Sequence, residues 1–144
     1  MIAWWPKQIK ANSINRQVAH IIDLMPTCVE LGGGKHPNEY GGNEVLPLEG
    51  LSMVKLLKGE TRKTHENLFW YWASNRAMRQ GDWKLVWDKL SPDKKWELYD
   101  LSKDRCEVNN LAESQPERVE TMAADWFTWA DRVELKFKKA KSKK

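Results

Sequence analysis

No stretch of this chain is apolar for long enough to cross a membrane. The opening run MIAWWPKQIK breaks at Pro6 and is too short in apolar residues to serve as a signal peptide. As given, the chain therefore carries no export address. Cysteine is scarce: Cys28 and Cys106 form neither a CxxC pair nor a metal spacing, so disulfide pairing and redox compartment both stay open. Histidine is scarce too. His20 and Asp23 lie three residues apart, but no third ligand accompanies them. The reading adopted is a hydrogen-bonded histidine beside a helix-capping aspartate, with His36 and His65 solvated in polar connections. Gly32 to Gly34 is followed by no GK[ST], which excludes a phosphate-binding loop.

What the chain has in excess is tryptophan, with nine in 144 residues. Each can bury a large area, which offsets a mean hydropathy of −0.72. Packing in a core or on hairpin faces is the ordinary use; an aromatic platform for a sugar is the functional one. The net charge of +4 is uneven. Residues 136–144, KFKKAKSKK, hold six lysines and no acid, and without those six the remainder is left at −2. The globular part is thus not basic, no nucleic-acid partner is expected, and the tail reads as a solvated, frayed end.

Periodicity organises the rest. Residues 1–5 suit a short buried strand stopped by Pro6. Asp23 is placed to cap a helix with Pro26 in its first turn, where the missing N–H costs nothing. Leu24, Thr27, Cys28 and Leu31 would share one face of it, and Gly32 to Gly34 would end it. Residues 35–50 read as loop, and 52–57 as a short helix closed by Gly59. Strands follow at 68–73, 76–79, 83–87 and 96–101, with turn signals at Gln80-Gly81-Asp82 and Ser91-Pro92-Asp93. Ser114-Gln115-Pro116-Glu117 has the form of a capping box. Val119, Met122, Ala123, Trp126, Trp129 and Ala130 then recur at helical spacing. The expected fold is α/β, α+β in its C-terminal part: a small antiparallel sheet of three to four strands packed by a C-terminal helix.

The residues also carry a resemblance. Asn75-Arg76-Ala77, Gly81-Asp82-Trp83-Lys84-Leu85-Val86, Glu97-Leu98-Tyr99-Asp100-Leu101, Asp104, Glu107, Asn110-Leu111 and Pro116-Glu117-Arg118-Val119 follow in order. Together they resemble the C-terminal subdomain of type I sulfatases, within the alkaline phosphatase-like superfamily. Upstream, Trp5-Pro6 with Ile9-Lys10, Asp23-Leu24-Met25-Pro26-Thr27, and Leu48-Glu49-Gly50 through Gly59-Glu60 resemble segments that precede that subdomain. No single motif is decisive; the ordered set, over about residues 1–130, is specific. Arg105 stands where the family usually has Pro, leaving that turn less stiff.

The resemblance implies a division. Residues 1–60 would be a remnant of the family's catalytic α/β domain, its strand and helix belonging to the central sheet. Residues 61–135 would be the C-terminal subdomain, and 136–144 the tail. It implies a parent that hydrolyses sulfate esters of a carbohydrate or aryl substrate, uses a formylglycine and one Ca²⁺ or Mg²⁺ ion, and is periplasmic or secreted. Those groups lie N-terminal to everything seen here, so this chain is expected to hold no cofactor, no catalytic residue and no metal ligand. It is expected to be inactive alone, a truncated piece whose partner is the missing catalytic part. Ser114-x-Pro116-x-Arg118 matches the C/S-x-P-x-R pattern formally, but lacks the usual continuation and is read as a helix start. The family segment often reads FWEHEGNR; here Phe69 to Arg76 reads FWYWASNR, with Trp72 replacing His. Trp72, Asn75 and Arg76 are therefore the candidate substrate-binding residues: Trp72 to stack on a sugar or aryl group, Arg76 to meet an anion. Two competitors stand beside this reading. One is a free-standing Trp-rich glycan-binding module; the other is a phosphatase or phosphodiesterase of the same superfamily.

Overall fold

The structure is a computed structural model and describes residues 1–136. Apart from Lys136, the lysine-rich tail expected at 136–144 lies outside the described residues. The chain divides into two compact units, Met1–His65 and a second beginning at Glu66.

In the first unit a 3-10 turn at Ile21–Asp23 runs into helix α1, Leu24–Leu31. A two-residue hairpin follows, β1 Glu39–Tyr40 with β2 Asn43–Glu44, inside the stretch expected to be loop. It turns on Gly41 and Gly42, both at positive φ, which glycine adopts without a Cβ clash. Helix α2 is one turn, Val54–Leu57. Met53, Val54 and Leu56 are buried.

Three expectations for this unit are corrected. Residues 1–5 form no strand, and Ile2 and Trp4 stand 99% and 86% exposed. A strand exists only against a neighbouring backbone, and among the described residues none pairs there. Of the four residues assigned to one face of α1, only Thr27 is buried; Leu24 and Leu31 are exposed. Asp23 does not cap α1 with its side chain: it sits in helical geometry at that helix's N-cap, and its carboxylate instead accepts the His20 N–H in a capping box on the 3-10 turn.

The second unit is an antiparallel meander in the order β3-β4-β5-β6: Asn67–Trp72, Asn75–Gln80, Trp83–Trp87 and Trp96–Asp100. The register aligns Phe69, Met78, Leu85 and Leu98 in one cross-strand row. Tyr71, Arg76, Trp87 and Trp96 form the next row on the same face. Helix α3, Pro116–Arg132, covers that face. Its buried Met122, Trp126 and Ala130 recur every four residues, which keeps them on one side. Phe69 and Trp129 stack with ring centroids 5.1 Å apart, and Trp126 meets Trp96 at 6.1 Å. Trp126 Nε1 donates to the Trp70 carbonyl, so the largest core side chain buries no orphaned donor.

The chain between β6 and α3 is shaped by side chains that stand in for backbone. Asp104 Oδ2 accepts from the N–H groups of Val108 and Asn109, and Asn110 Oδ1 accepts from those of Leu98 and Ala112. The capping box at Ser114 does not form. The helix starts one residue later, at Pro116, with Gln115 as N-cap and no side-chain cap bond. Ser114 Oγ instead donates back to the Leu111 carbonyl, closing the preceding turn.

Candidate functional site

The β3–β4 hairpin carries all three residues singled out from the sequence. Its two-residue loop is Ala73-Ser74, with φ of 49° and 77°. Two consecutive left-handed residues make the tight turn whose twist matches the flanking strands. Trp72 and Asn75 flank the loop as directly opposed partners, so their side chains leave the same face of the sheet. Trp72 is 77% exposed. Asn75 is half-buried, and its Oδ1 accepts from the Lys89 N–H at 3.0 Å, which leaves Nδ2 as a donor beside the indole.

Arg76 goes the other way. It lies on the face covered by α3, with its guanidinium carbon 4.5 Å from the Trp87 ring centroid, 5.3 Å from Trp126 and 5.5 Å from Phe127. Burial pushes its ionisation below the ordinary arginine range, partly opposed by the nearby Tyr71. The hairpin thus brings Trp72 and Asn75 together and separates Arg76 from them, because neighbours along a strand point to opposite faces.

A second cluster was not singled out by sequence. Asp23 is fully buried in the first unit. Arg62 Nη2 donates to its Oδ2 at 2.8 Å, and His65 Nε2 stands 2.7 Å from its Oδ1. The backbone N–H groups of His20 and Leu51 also donate to it. Burial pushes the Asp23 carboxyl up, but the bonds from Arg62, His20, Leu51 and His65 outweigh that and hold it at about 2. Arg62 further donates to the carbonyls of Val18, Leu51 and Ser52. The expectation of a solvated His65 is therefore corrected: its side chain is nearly fully buried against the carboxylate. His36 is likewise engaged, its Nε2 lying 2.9 Å from the Leu46 carbonyl. His20 sits beside Asp23 as expected; burial lowers its ionisation, with Asp23 opposing and His65 adding to the effect. Only the tertiary fold brings Arg62 and His65 to Asp23, and no local spacing signals it.

Neither cluster is a catalytic constellation. Among the described residues, no group of three or more His, Cys, Asp or Glu could hold a metal ion. Ser114 is exposed at the start of a helix, beside no such cage. Cys28 and Cys106 are free and exposed. No helix among the described residues is long and apolar enough to cross a membrane.

The second unit is a four-stranded antiparallel meander under one helix, an α+β arrangement, and the first presents several large apolar side chains outward. The chain belongs to the family of N-sulphoglucosamine sulphohydrolase C-terminal regions, whose model matches residues 1–125. It is similar to an uncharacterised sulfatase of Schizosaccharomyces pombe, 29% identical over 129 residues that cover 87% of this chain and 23% of that protein. A shorter match, 47% identical over 47 residues, is to an ulvan-active sulfatase of Formosa agariphila and covers 33% of this chain and 9% of that one. The structure resembles that of a 2-O GAG sulfatase with a TM-score of 0.59 and 26% identity, covering 78% of this chain and 25% of the other. The chain spans about a quarter or less of the length of these relatives. These likenesses favour a sulfatase C-terminal segment over a free-standing glycan-binding module.

Proposed function

We propose that this chain serves a sulfuric ester hydrolase as the segment that packs on the catalytic part and shapes the rim of its pocket, with no turnover of its own. The observation that carries this reading is the bare apolar surface of the first unit. Ile2, Trp4, Ile14, Ile21 and Met25 are all strongly exposed, and large apolar side chains gathered on one surface mark an interaction site. The occupant that fits is the remainder of a sulfatase, since the match covers 23% of one relative and 9% of another. The formylglycine and the Ca²⁺ or Mg²⁺ ion would belong to that remainder. The substrate of the assembled enzyme would be a sulfated carbohydrate or an aryl sulfate, reached by the Trp72 and Asn75 hairpin. Its compartment would be periplasmic or extracellular.

The test is co-expression with the catalytic portion of the fission-yeast relative, stripped of its own matching C-terminal quarter. A co-purifying complex that hydrolyses 4-methylumbelliferyl sulfate is the expected result. The purified chain alone should bind a hydrophobic dye strongly and release no fluorophore. Hydrolysis by the chain alone, or absence of dye binding, overturns the reading.

A further inference from the structure

The 3-10 turn at Ile21–Asp23 is capped by a side chain that titrates. His20 stands at its N-cap in extended geometry, and the ring Nδ1 accepts from the Ile22 N–H at 3.4 Å. Serine, threonine or asparagine caps a turn without taking up a proton. Imidazole accepts only while that nitrogen is unprotonated, so this bond exists for the neutral ring alone. The charged and titratable groups gathered here are Asp23 on the turn itself, and Arg62 and His65 from the connection after α2. The loop at Leu51 contributes a backbone N–H rather than a charge. Asp23 cannot take the ring over once it is protonated. Its Oδ2 already accepts from the His20 N–H and Arg62 Nη2, and its Oδ1 from the Leu51 N–H and His65 Nε2. Two donors on each oxygen fill the four lone-pair directions of a carboxylate. Charging His20 therefore breaks one bond and adds a cation beside Arg62 and His65, with no Asp23 oxygen left to receive it. In keeping with this, burial pushes the ring's ionisation below its ordinary value, with Asp23 opposing and His65 adding to the effect.

The turn carries part of the apolar surface of the first unit. Ile21 is 74% exposed and Ile22 36%, and Leu24 and Met25 follow on α1, also exposed. We propose that His20 is a pH-operated cap on this surface. Neutral, it holds the turn in the form that presents Ile21 and Met25 to the catalytic portion; protonated, it releases the turn and weakens the assembly. The proposal rests on the sulfatase reading for its partner and adds the regulation of that interface. The fold favours the neutral ring, so this stabilisation is fully present above the unfolded value of 6.5 and is lost as pH falls below it. Asp23 stays ionised down to about 2, so the ion pair with Arg62 outlasts the cap by several pH units. Acid therefore loosens one turn of the node before it dismantles the rest.

The test follows the whole chain by NMR between about pH 8 and pH 5, where histidine titrates. The reporters are the His20 ring nitrogens and the Ile22 amide. At the alkaline end Nδ1 of His20 should carry no proton. As the ring titrates, exchange of the Ile22 amide, corrected for its intrinsic pH dependence, should rise about fivefold, the factor set by loss of an N-cap bond. The rise should share the ring's own midpoint. His20→Asn puts a non-titrating oxygen close to the place of Nδ1 and should make Ile22 protection flat across the range. Binding to the catalytic portion of the fission-yeast relative is measured in parallel. Wild-type affinity should fall by about tenfold for each pH unit below the ring's midpoint, relative to the His20→Asn chain. A proton on Nδ1 at neutral pH overturns the proposal. So does an equal pH dependence of Ile22 in wild type and His20→Asn, which assigns the acid response to His65. Equal loss of affinity in the two chains, with Ile22 behaving as expected, overturns the regulation of the interface. Absence of a complex at every pH counts against the sulfatase reading, whereas the titrating cap is decided by Ile22 in the chain alone, so the two fail separately.

Discussion

Asp23 shows how much one side chain can organise. Its carboxylate gathers His20, Leu51, Arg62 and His65, four groups from three separated segments. Because its ionisation is held at about 2, below the usual 3.8, the folded state prefers the charged form. The resulting stabilisation is fully present above about pH 4 and is lost as pH falls toward 2, a swing of about 2 kcal/mol. Asp23→Asn should flatten that acid limb in urea titrations between pH 2 and 7. At neutral pH it should destabilise the first unit by about 3 kcal/mol, because Arg62 is left buried without its counter-charge. A neighbouring position is as sensitive for a steric reason. A Cβ at Gly50 would sit 2.0 Å from the Ile22 carbonyl oxygen and 2.9 Å from the Asp23 nitrogen. Gly50→Ala must push backbone away from the Asp23 turn, and should cost about 3 kcal/mol in denaturant unfolding.

At the scale of elements, the β3–β4 hairpin and the start of α3 hold opposite lessons. Ala73 and Ser74 occupy left-handed geometry that favours glycine or asparagine. Ser74→Gly should relieve that strain and raise stability by about 1 kcal/mol, read from the thermal midpoint, without altering the strand register. Helix α3 begins without a side-chain cap. Ser114→Ala should therefore cost well under the roughly 1 kcal/mol of a true N-cap loss, whereas Gln115→Asp should stabilise by about that amount. A measured cost above 1 kcal/mol for Ser114→Ala would show that the hydroxyl caps the helix after all. Pro116 explains the displacement: it lacks the N–H that a first-turn position need not supply, so the helix can begin at it.

For the molecule as a whole, polarity is distributed by unit. The second unit closes its own core: Met78, Leu85, Leu98, Met122, Trp126 and Ala130 are shielded within it. The first unit buries a charged node and a small apolar group while presenting large side chains outward. A molecule built this way should bind dye through the first unit and lose that binding when a catalytic portion is supplied. Substitution of Ile2 and Trp4 by Ser should reduce dye binding of the chain alone and weaken the co-purifying complex. Unchanged binding in both assays would remove the apolar surface from the proposed interface.

The amino-acid order by itself determined the meander and its helix. Alternation within 83–87 and 96–101, Gly81 at a turn with φ of 59°, and the four-residue recurrence in α3 are local signals, and each element satisfies most of its backbone within itself or its chain neighbour. It also carried enough ordered motifs to indicate the sulfatase family. Tertiary structure alone decided the rest. Residues 1–5 have strand composition but no neighbouring backbone to pair with, so composition could not make a strand. Asp23 has the identity and spacing of a cap, yet partners thirty-nine and forty-two residues away draw its side chain inward instead. Asn75 and Arg76 are adjacent in sequence and were grouped as one site; the pleat sends them to opposite faces, one beside an open indole and one into an aromatic cage. Which face is open depends on where α3 packs, and that is set by contacts between distant segments, which no local pattern records.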